Sequence, residues 1–266
     1  MDDLTPYKNM LRIVYHPMYA TSYATAGCES PERVTSMMGG AAGLTIVKPR
    51  QCADDDILRC HSKDLLEREK NMPDRFKTAC MAAGGAIMAA ELAMEGYIAF
   101  AVVRPPGHHA NPDHNWGFCF FNNMAICIKK LIAEKRIRSA TILDIDLHFG
   151  DGTDAIFRPL ENVQVFNIQS SNPEDFLDET RRALNSAADS DIIGISAGFD
   201  QYVLDWGGNL STGDYYIVGE IAGRFAADKT KGRIFGILEG GYYIPDLGKN
   251  LVSLLSGICR GVSSPP

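Results

Sequence analysis

The chain has 266 residues, 45% of them hydrophobic, with a net charge of −7 and a pI near 5.4. That length supports one large core, and the acidic balance gives no general electrostatic reason to hold nucleic acid or an anionic membrane surface. Seven scattered cysteines without a C-x-x-C pair argue against a disulfide scaffold or a thiolate zinc site and suit a reducing cytoplasm.

Met1 to Met10 carries Asp2 and Asp3 and no long apolar run, so neither a secretory signal nor a transit peptide is expected there. Short apolar runs rich in β-branched residues then recur at Leu11–Tyr15, Leu44–Val47, Ile98–Val103, Ala140–Ile145, Val163–Ile168, Asp191–Ser196 and Arg233–Leu238. They read as strands buried on both faces. The longest, Ile98–Val103, is far too short to cross a bilayer. Asp74 to Glu95 is rich in Ala and Met, with Asp74 as a cap and Gly96 as its stop, and Asn122 to Glu134 is a second helical pattern. Only Val262 to Pro266 has the composition of a flexible tail. Alternating strands and helices predict one α/β domain over 1–266, a parallel sheet flanked by helices on both faces.

The polar clusters fall at the ends of these runs. His108 and His109 follow the third, Asp144 to Asp151 close the fourth, Asp200 follows the sixth and Tyr242 the seventh. In an open α/β sheet the ligand crevice lies at the carboxyl ends of the strands, so four segments deliver reactive side chains to one edge.

Strand alternation places Asp144, Asp146 and His148 on one face. Three ionisable groups in a buried run are costly unless a cation neutralises them, which favours a metal over a hydrogen-bonded turn. A catalytic zinc site needs a third N/O ligand from elsewhere; Asp200 suits, with a surface-turn aspartate as the alternative. Adjacent His108 and His109, in a loop stiffened by Pro105, Pro106 and Gly107, suggest a proton-handling pair, against two solvent-facing histidines. Tyr242, after a diglycine, is placed to donate to an oxyanion or merely to pack. Phe118, beside Gly117, is a pocket-lining or core ring. His16, His61 and His114 receive no functional role.

These residues together resemble the histone deacetylase and acetylpolyamine amidohydrolase family. The resemblance runs in order from Ser30-Pro31-Glu32-Arg33-Val34 through Arg104–Ala110, Gly117-Phe118-Cys119, Phe121-Asn122-Asn123, Asp144–Gly152, Gly198-Phe199-Asp200, Asp205 with Gly207-Gly208, and Glu239–Tyr242. It implies an arginase-like fold with one Zn2+ (Fe2+ suits the same donors) on Asp146, His148 and Asp200. By the same implication His109 is the general base and acid, His108 its companion, and Asp151 and Asp144 the carboxylates that orient them. K+ or Na+ would lie near Asp144, Tyr242 would hold the oxyanion, and Gly117 and Phe118 would line the substrate channel. Pro105-Pro106 and Glu239-Gly240-Gly241-Tyr242 are similar to the class II and acetylpolyamine branch. The expected substrate is an acylated amine, acetyl-lysine or an acetylpolyamine; oligomeric state is left open. A two-metal ureohydrolase of arginase type and a non-catalytic acyl-amine binder are the alternatives. Gln201 and Tyr202 after Asp200, where further carboxylates would be needed, speak against the first.

The stretch from Gln169 to Ser190 is shorter than the family pattern and lacks its Gly-rich pocket loop. Phe118 alone is left as a wall, so the expectation is a wide, shallow site with poor selection for chain length, with a wall completed by a neighbouring subunit as the alternative.

Overall fold

The computed structural model describes residues 4–264. Seven strands form a single parallel sheet: β1 (Leu11–Val14), β2 (Ile46–Val47), β3 (Ile98–Ala101), β4 (Ala140–Asp144), β5 (Val163–Asn167), β6 (Ile193–Ala197) and β7 (Ile234–Leu238), in the order β2-β1-β3-β7-β6-β4-β5. The α/β expectation holds, and every run read as a strand contributes one. Burial on both faces holds for β3, β4, β6 and β7, in which every residue is buried. It fails at the two edges. Ile46 of β2 is exposed and most of β5 is only partly buried, because an edge strand has one neighbour and incomplete cover.

Helices supply the crossovers that parallel strands require. They are α1 (Glu32–Gly40), the short α2 (Asp54–Ile57), α3 (Lys63–Lys70), α4 (Pro73–Met94), α5 (Asn123–Ala133), α6 (Asp151–Phe157), α7 (Pro173–Ser186), α8 (Thr212–Lys229) and α9 (Ile244–Ser263). The small residues of α4 let it lie close across β1, β3 and β7, with α5 beside it. Asp74 is not its cap. Pro73 occupies the first helical turn, where a missing N–H costs nothing, so Met72 takes the cap position and Asp74 falls inside, favourable to the helix dipole. Asn122 does cap α5, its Oδ1 accepting from Ala125 N at 2.9 Å. The tail expected from Val262 is helical through Ser263; Pro265, Pro266 and the first three residues lie outside the described residues. Among those described, no helix is long and apolar enough to cross a membrane.

The topology positions the site. β3, β7, β6 and β4 are consecutive in the sheet although far apart in sequence, so their C-terminal loops, 102–109, 239–242, 198–200 and 145–150, meet over the centre of one edge.

Behind the sheet edge, α8 and α9 approach through glycines. A Cβ at Gly257 would collide with the carbonyl oxygen of Tyr216, and one at Gly219 with that of Leu254. Ala is the better helix former by up to about 1 kcal/mol, but overpacking against backbone costs about 1–3 kcal/mol, and a carbonyl cannot rotate away as a side chain can. Gly257→Ala is therefore expected to lower stability by about 1–2 kcal/mol in urea unfolding; an unchanged or raised midpoint would contradict this close packing.

Candidate active site

β4 stops at Asp144, and residues 146–148 bend away rather than continuing its alternation. Asp144, Asp146 and His148 are thus not three members of one strand face. Past the last ladder bond the carboxylates take over the loop's free N–H groups: Asp144 Oδ1 accepts from Asp146 N (3.1 Å), Asp146 Oδ1 from His148 N (2.9 Å), and Asp200 Oδ1 from Leu147 N (3.0 Å). The bend separates their tasks. Asp144 turns to His108, while Asp146 and His148 meet Asp200, with one ligand atom from each lying within 4.8 Å of the others.

This trio is short of positive charge. His148 Nδ1 lies 3.3 Å from Asp146 Oδ1 and 3.2 Å from Asp200 Oδ2, and the two carboxylates push its pKa up to about 10. Burial and the neighbouring Asp146 push Asp200 up to about 7, against the opposing pull of His148 and the Leu147 N–H. Burial also opposes the charge of Asp146, but His108, His148 and the N–H groups of His148 and Gly240 outweigh it and hold its pKa below the carboxylate range. Apart from its ion-pair contact with His148 Nδ1, Asp200 Oδ2 is buried without a hydrogen-bond partner. Two carboxylates and an imidazole, with one buried oxygen unused, fit a divalent cation: this is an N/O donor set that leaves a coordination position for water. A Cβ on Gly240 would sit 2.6 Å from both Asp146 Oδ2 and Asp200 Oδ2, so only glycine keeps that space clear.

His108, Cys119 and Glu239 form a second group with ligand atoms equally close. It is a poorer metal site. Burial raises the Cys119 thiol far above its ordinary pKa, keeping it protonated, and Glu239 Oε2 already accepts from Gly107 N (2.6 Å) and His108 N (3.1 Å).

The two histidines are driven apart. Burial disfavours charge on His108, but Asp146 and Asp144, the latter 3.1 Å from Nδ1, raise it well above the ordinary value. For His109, burial and the cationic neighbour prevail over Asp151, and the pKa falls to about 4. Its Nδ1–H points at Asp151 Oδ1 (2.6 Å), which leaves Nε2 as an acceptor. Asp151 Oδ2 accepts from Asn111 Nδ2 (2.6 Å) and Trp116 Nε1 (3.1 Å), and the Trp116 ring lies 3.9 Å from that of His109.

Tyr242 is fixed from behind. Arg33, fully buried, donates Nε to Gly241 O (2.6 Å) and Nη2 to Glu239 O (2.5 Å), and its guanidinium lies 4.8 Å from the Tyr242 ring. Asp205 Oδ2 accepts from both Tyr242 N and Tyr243 N at 2.6 Å. Burial raises the hydroxyl's pKa, so it stays protonated and able to donate.

A cavity of about 180 Å³ joins these groups, lined among others by His109, Gly117, Phe118, His148, Trp206 and Tyr242. Gly117 (φ +58°) leaves no room for a Cβ, which would strike the His109 ring, and Phe118 follows it in the same left-handed region. Phe118 is not the sole wall, contrary to the sequence expectation: Trp206 stacks on Tyr242, centroids 4.0 Å apart and planes at 20°. Asn209 Nδ2, just after the 205–208 turn, donates to Ser170 O (3.1 Å) and ties that turn to the start of the 169–190 stretch.

Sequence reasoning missed Trp116 and Trp206 as parts of this site. The available signal was that the chain's only two tryptophans both stand in polar, Gly-rich loops with no core to fill. It missed Glu239 and Arg33 as supports because the groups they hold in the site loops are backbone atoms, Gly107 N and His108 N for Glu239, and Gly241 O and Glu239 O for Arg33. Of the remaining histidines, His61 is buried between Asn111 O (2.8 Å) and Asn122 N (2.9 Å), where burial lowers its pKa to about 4. His16 caps a short 3-10 turn and His114 is exposed beside Asp113.

Residues 27–181 match the histone deacetylase domain family. A histone deacetylase-like amidohydrolase of Pseudomonas aeruginosa is 29% identical over 91% of this chain and 80% of its own length. An acetylpolyamine amidohydrolase of Mycoplana ramosa is 27% identical over 70% of this chain and 64% of its own. In fold, the HD domain of HDA15 superposes with a TM-score of 0.80 over 96% of this chain and 90% of that one, at 20% identity. The family match spans more than half of the chain, the relatives are named as deacetylases and amidohydrolases, and the fold is shared: this chain belongs to the histone deacetylase domain family of enzymes.

Proposed function

We propose that the chain is a single-zinc amidohydrolase that removes an acyl group, acetyl foremost, from a linear amine such as acetyl-lysine or an acetylpolyamine. The observation that carries this reading is the convergence of Asp146, His148 and Asp200 on one cavity with the His109–Asp151 pair and Tyr242. Zinc held by those three ligands would polarise the amide carbonyl and bring a water's pKa down to about 7; ferrous iron suits the same donors.

The chain's own side chains handle the proton and the oxyanion. His109, neutral and presenting Nε2, takes the proton from the attacking water and returns it to the leaving amine nitrogen. Asp151 keeps the acceptor nitrogen turned to the cavity. His108, cationic and held by Asp144, keeps positive charge beside the reacting centre. The Tyr242 hydroxyl donates to the oxyanion, a kind of interaction whose removal typically costs about 10²–10³ in rate. K+ or Na+ near Asp144 belongs to the same reading and would share a carboxylate already bonded to His108 and to Asp146 N. The reducing cytoplasm is the proposed setting, in keeping with seven free cysteines.

A two-metal ureohydrolase fits less well. The two residues after Asp200 offer no carboxylate: Gln201 Oε1 accepts from Asn209 Nδ2 (3.2 Å), and the Tyr202 hydroxyl donates to Asp246 (2.8 Å). A binder without turnover would have no use for a His109 held with its acceptor nitrogen free.

Metal analysis and acetate release test the assignment together. Asp200→Ala is expected to lose most bound metal and activity at once; full occupancy in that variant would sink the three-ligand arrangement. Gly240→Ala, which adds no charge, should cut zinc affinity at least tenfold by pushing a methyl group against both carboxylates, and wild-type affinity would contradict the geometry. His109→Ala and Tyr242→Phe should keep one zinc per chain while kcat falls by about 10²–10³. Wild-type turnover in Tyr242→Phe would remove the oxyanion role.

A further inference from the structure

We propose that Trp206 is the specificity-determining wall of the site, gripping an unbranched aliphatic chain, neutral or cationic, between the amide and the far end of the substrate. The proposal rests on the amidohydrolase reading for the chemistry, but not for the binding.

Three observations lead to it. Trp206 lines the cavity, stacks on Tyr242 at 4.0 Å, and stands edge-on to His148 with centroids 6.1 Å apart, yet half of its surface is exposed. One indole face is thus taken by the tyrosine proposed to hold the oxyanion, and the rest is left for a ligand. Its backbone is anchored as firmly as that of Tyr242: Asp205 Oδ1 accepts from Trp206 N (2.8 Å) while Oδ2 binds the Tyr242 and Tyr243 N–H groups. One carboxylate therefore fixes the wall and the oxyanion donor relative to each other. Lastly, two of the large exposed hydrophobics among the described residues, Trp116 and Trp206, line this cavity, and three more, Phe149, Val203 and Leu204, follow His148 or precede Trp206 in the same loops.

A rim of that composition prefers methylenes to a branched, polar or anionic chain, and an indole face attracts an ammonium group. Each methylene it covers is worth about fourfold in affinity. Trp116, tilted against the His109 ring with centroids 3.9 Å apart, places a second half-exposed indole at the same mouth. The mouth is thus a short slot rimmed by two indoles. It should select for chain length, where a site walled by Phe118 alone would not.

The test compares kcat/KM of the zinc-loaded enzyme for monoacetylated α,ω-diamines of three, four and five carbons and for N-acetylated ω-amino acids of the same lengths. Wild type is expected to rise at least threefold per methylene along the diamines and to favour each diamine over its carboxylate counterpart by at least tenfold. In Trp206→Ala, KM should rise more than kcat falls and the chain-length slope should flatten; Trp206→Phe should restore most of the slope. Binding is read separately by tryptophan emission on titration with hexanohydroxamic acid, since both tryptophans lie at the site. Quenching should persist in Trp116→Phe and be weaker in Trp206→Phe, and by calorimetry the Kd should rise at least tenfold in Trp206→Ala. An unchanged slope and an unchanged Kd in Trp206→Ala would overturn the proposal. If no acetylated amine is turned over, the amidohydrolase reading falls, and the hydroxamate titrations alone then decide whether Trp206 is the wall.

Discussion

Two buried carboxylates facing one imidazole nitrogen are the constraint around which the catalytic edge is arranged. Asp146 and Asp200 are 1% and 0% exposed, and taking such a charge out of water costs several kcal/mol per ion even after relaxation. The surroundings offset part of this cost through N–H donors from Leu147, His148 and Gly240. Missing side chains matter as much. A Cβ at Gly198 or Gly240 would run into these carboxylates, so the loops after β6 and β7 close over Asp146 only because both positions are glycine. What remains is an acidic centre that His148 alone does not neutralise, and that residual charge is the physical case for a divalent cation.

The same charge divides the neighbouring histidines. Their rings are 4.0 Å apart, too close for both to be cationic without cost. His108 faces Asp144 and Asp146 and takes the charge; His109, left with Asp151 and burial, stays neutral. Titratable neighbours pushed in opposite directions mark a division of roles. Here the neutral member has its free nitrogen toward the cavity and its other nitrogen held. The support extends outward through Asn111 and Trp116 to Asp151, and through Arg33 and Asp205 to the Tyr242 loop, so that each group facing the cavity is fixed by another that does not.

The sheet was legible in the sequence because a parallel core demands short, continuous apolar runs, and runs such as Ala140–Ile145 and Arg233–Leu238 have few other uses. The edges were less so: Leu44–Val47 looks like a buried strand but yields two residues of β2, since apolar content alone does not report whether a neighbour arrives on the far side. The residues gathered at the site were also legible, being polar groups at strand ends where apolar side chains belong. Their geometry was not. Alternation put Asp144 with Asp146 and His148, whereas the loop's own N–H groups recruited those carboxylates and turned the chain. Asp74 lost its cap position to the preference of Pro73 for the first helical turn. Trp206 was out of reach for a different reason: nothing near Asp205 in sequence indicates that the chain turns there to lay an indole on Tyr242, which lies far along the chain.

Zinc K-edge absorption on the loaded protein tests the central claim most directly, because the two metal-competent clusters differ in sulfur. If Asp146, His148 and Asp200 hold the ion, the first shell contains only nitrogen and oxygen at about 2.0–2.2 Å. A sulfur scatterer at about 2.3 Å would place the metal on Cys119 with His108 and Glu239, and would contradict the account of the buried carboxylate pair as the metal centre.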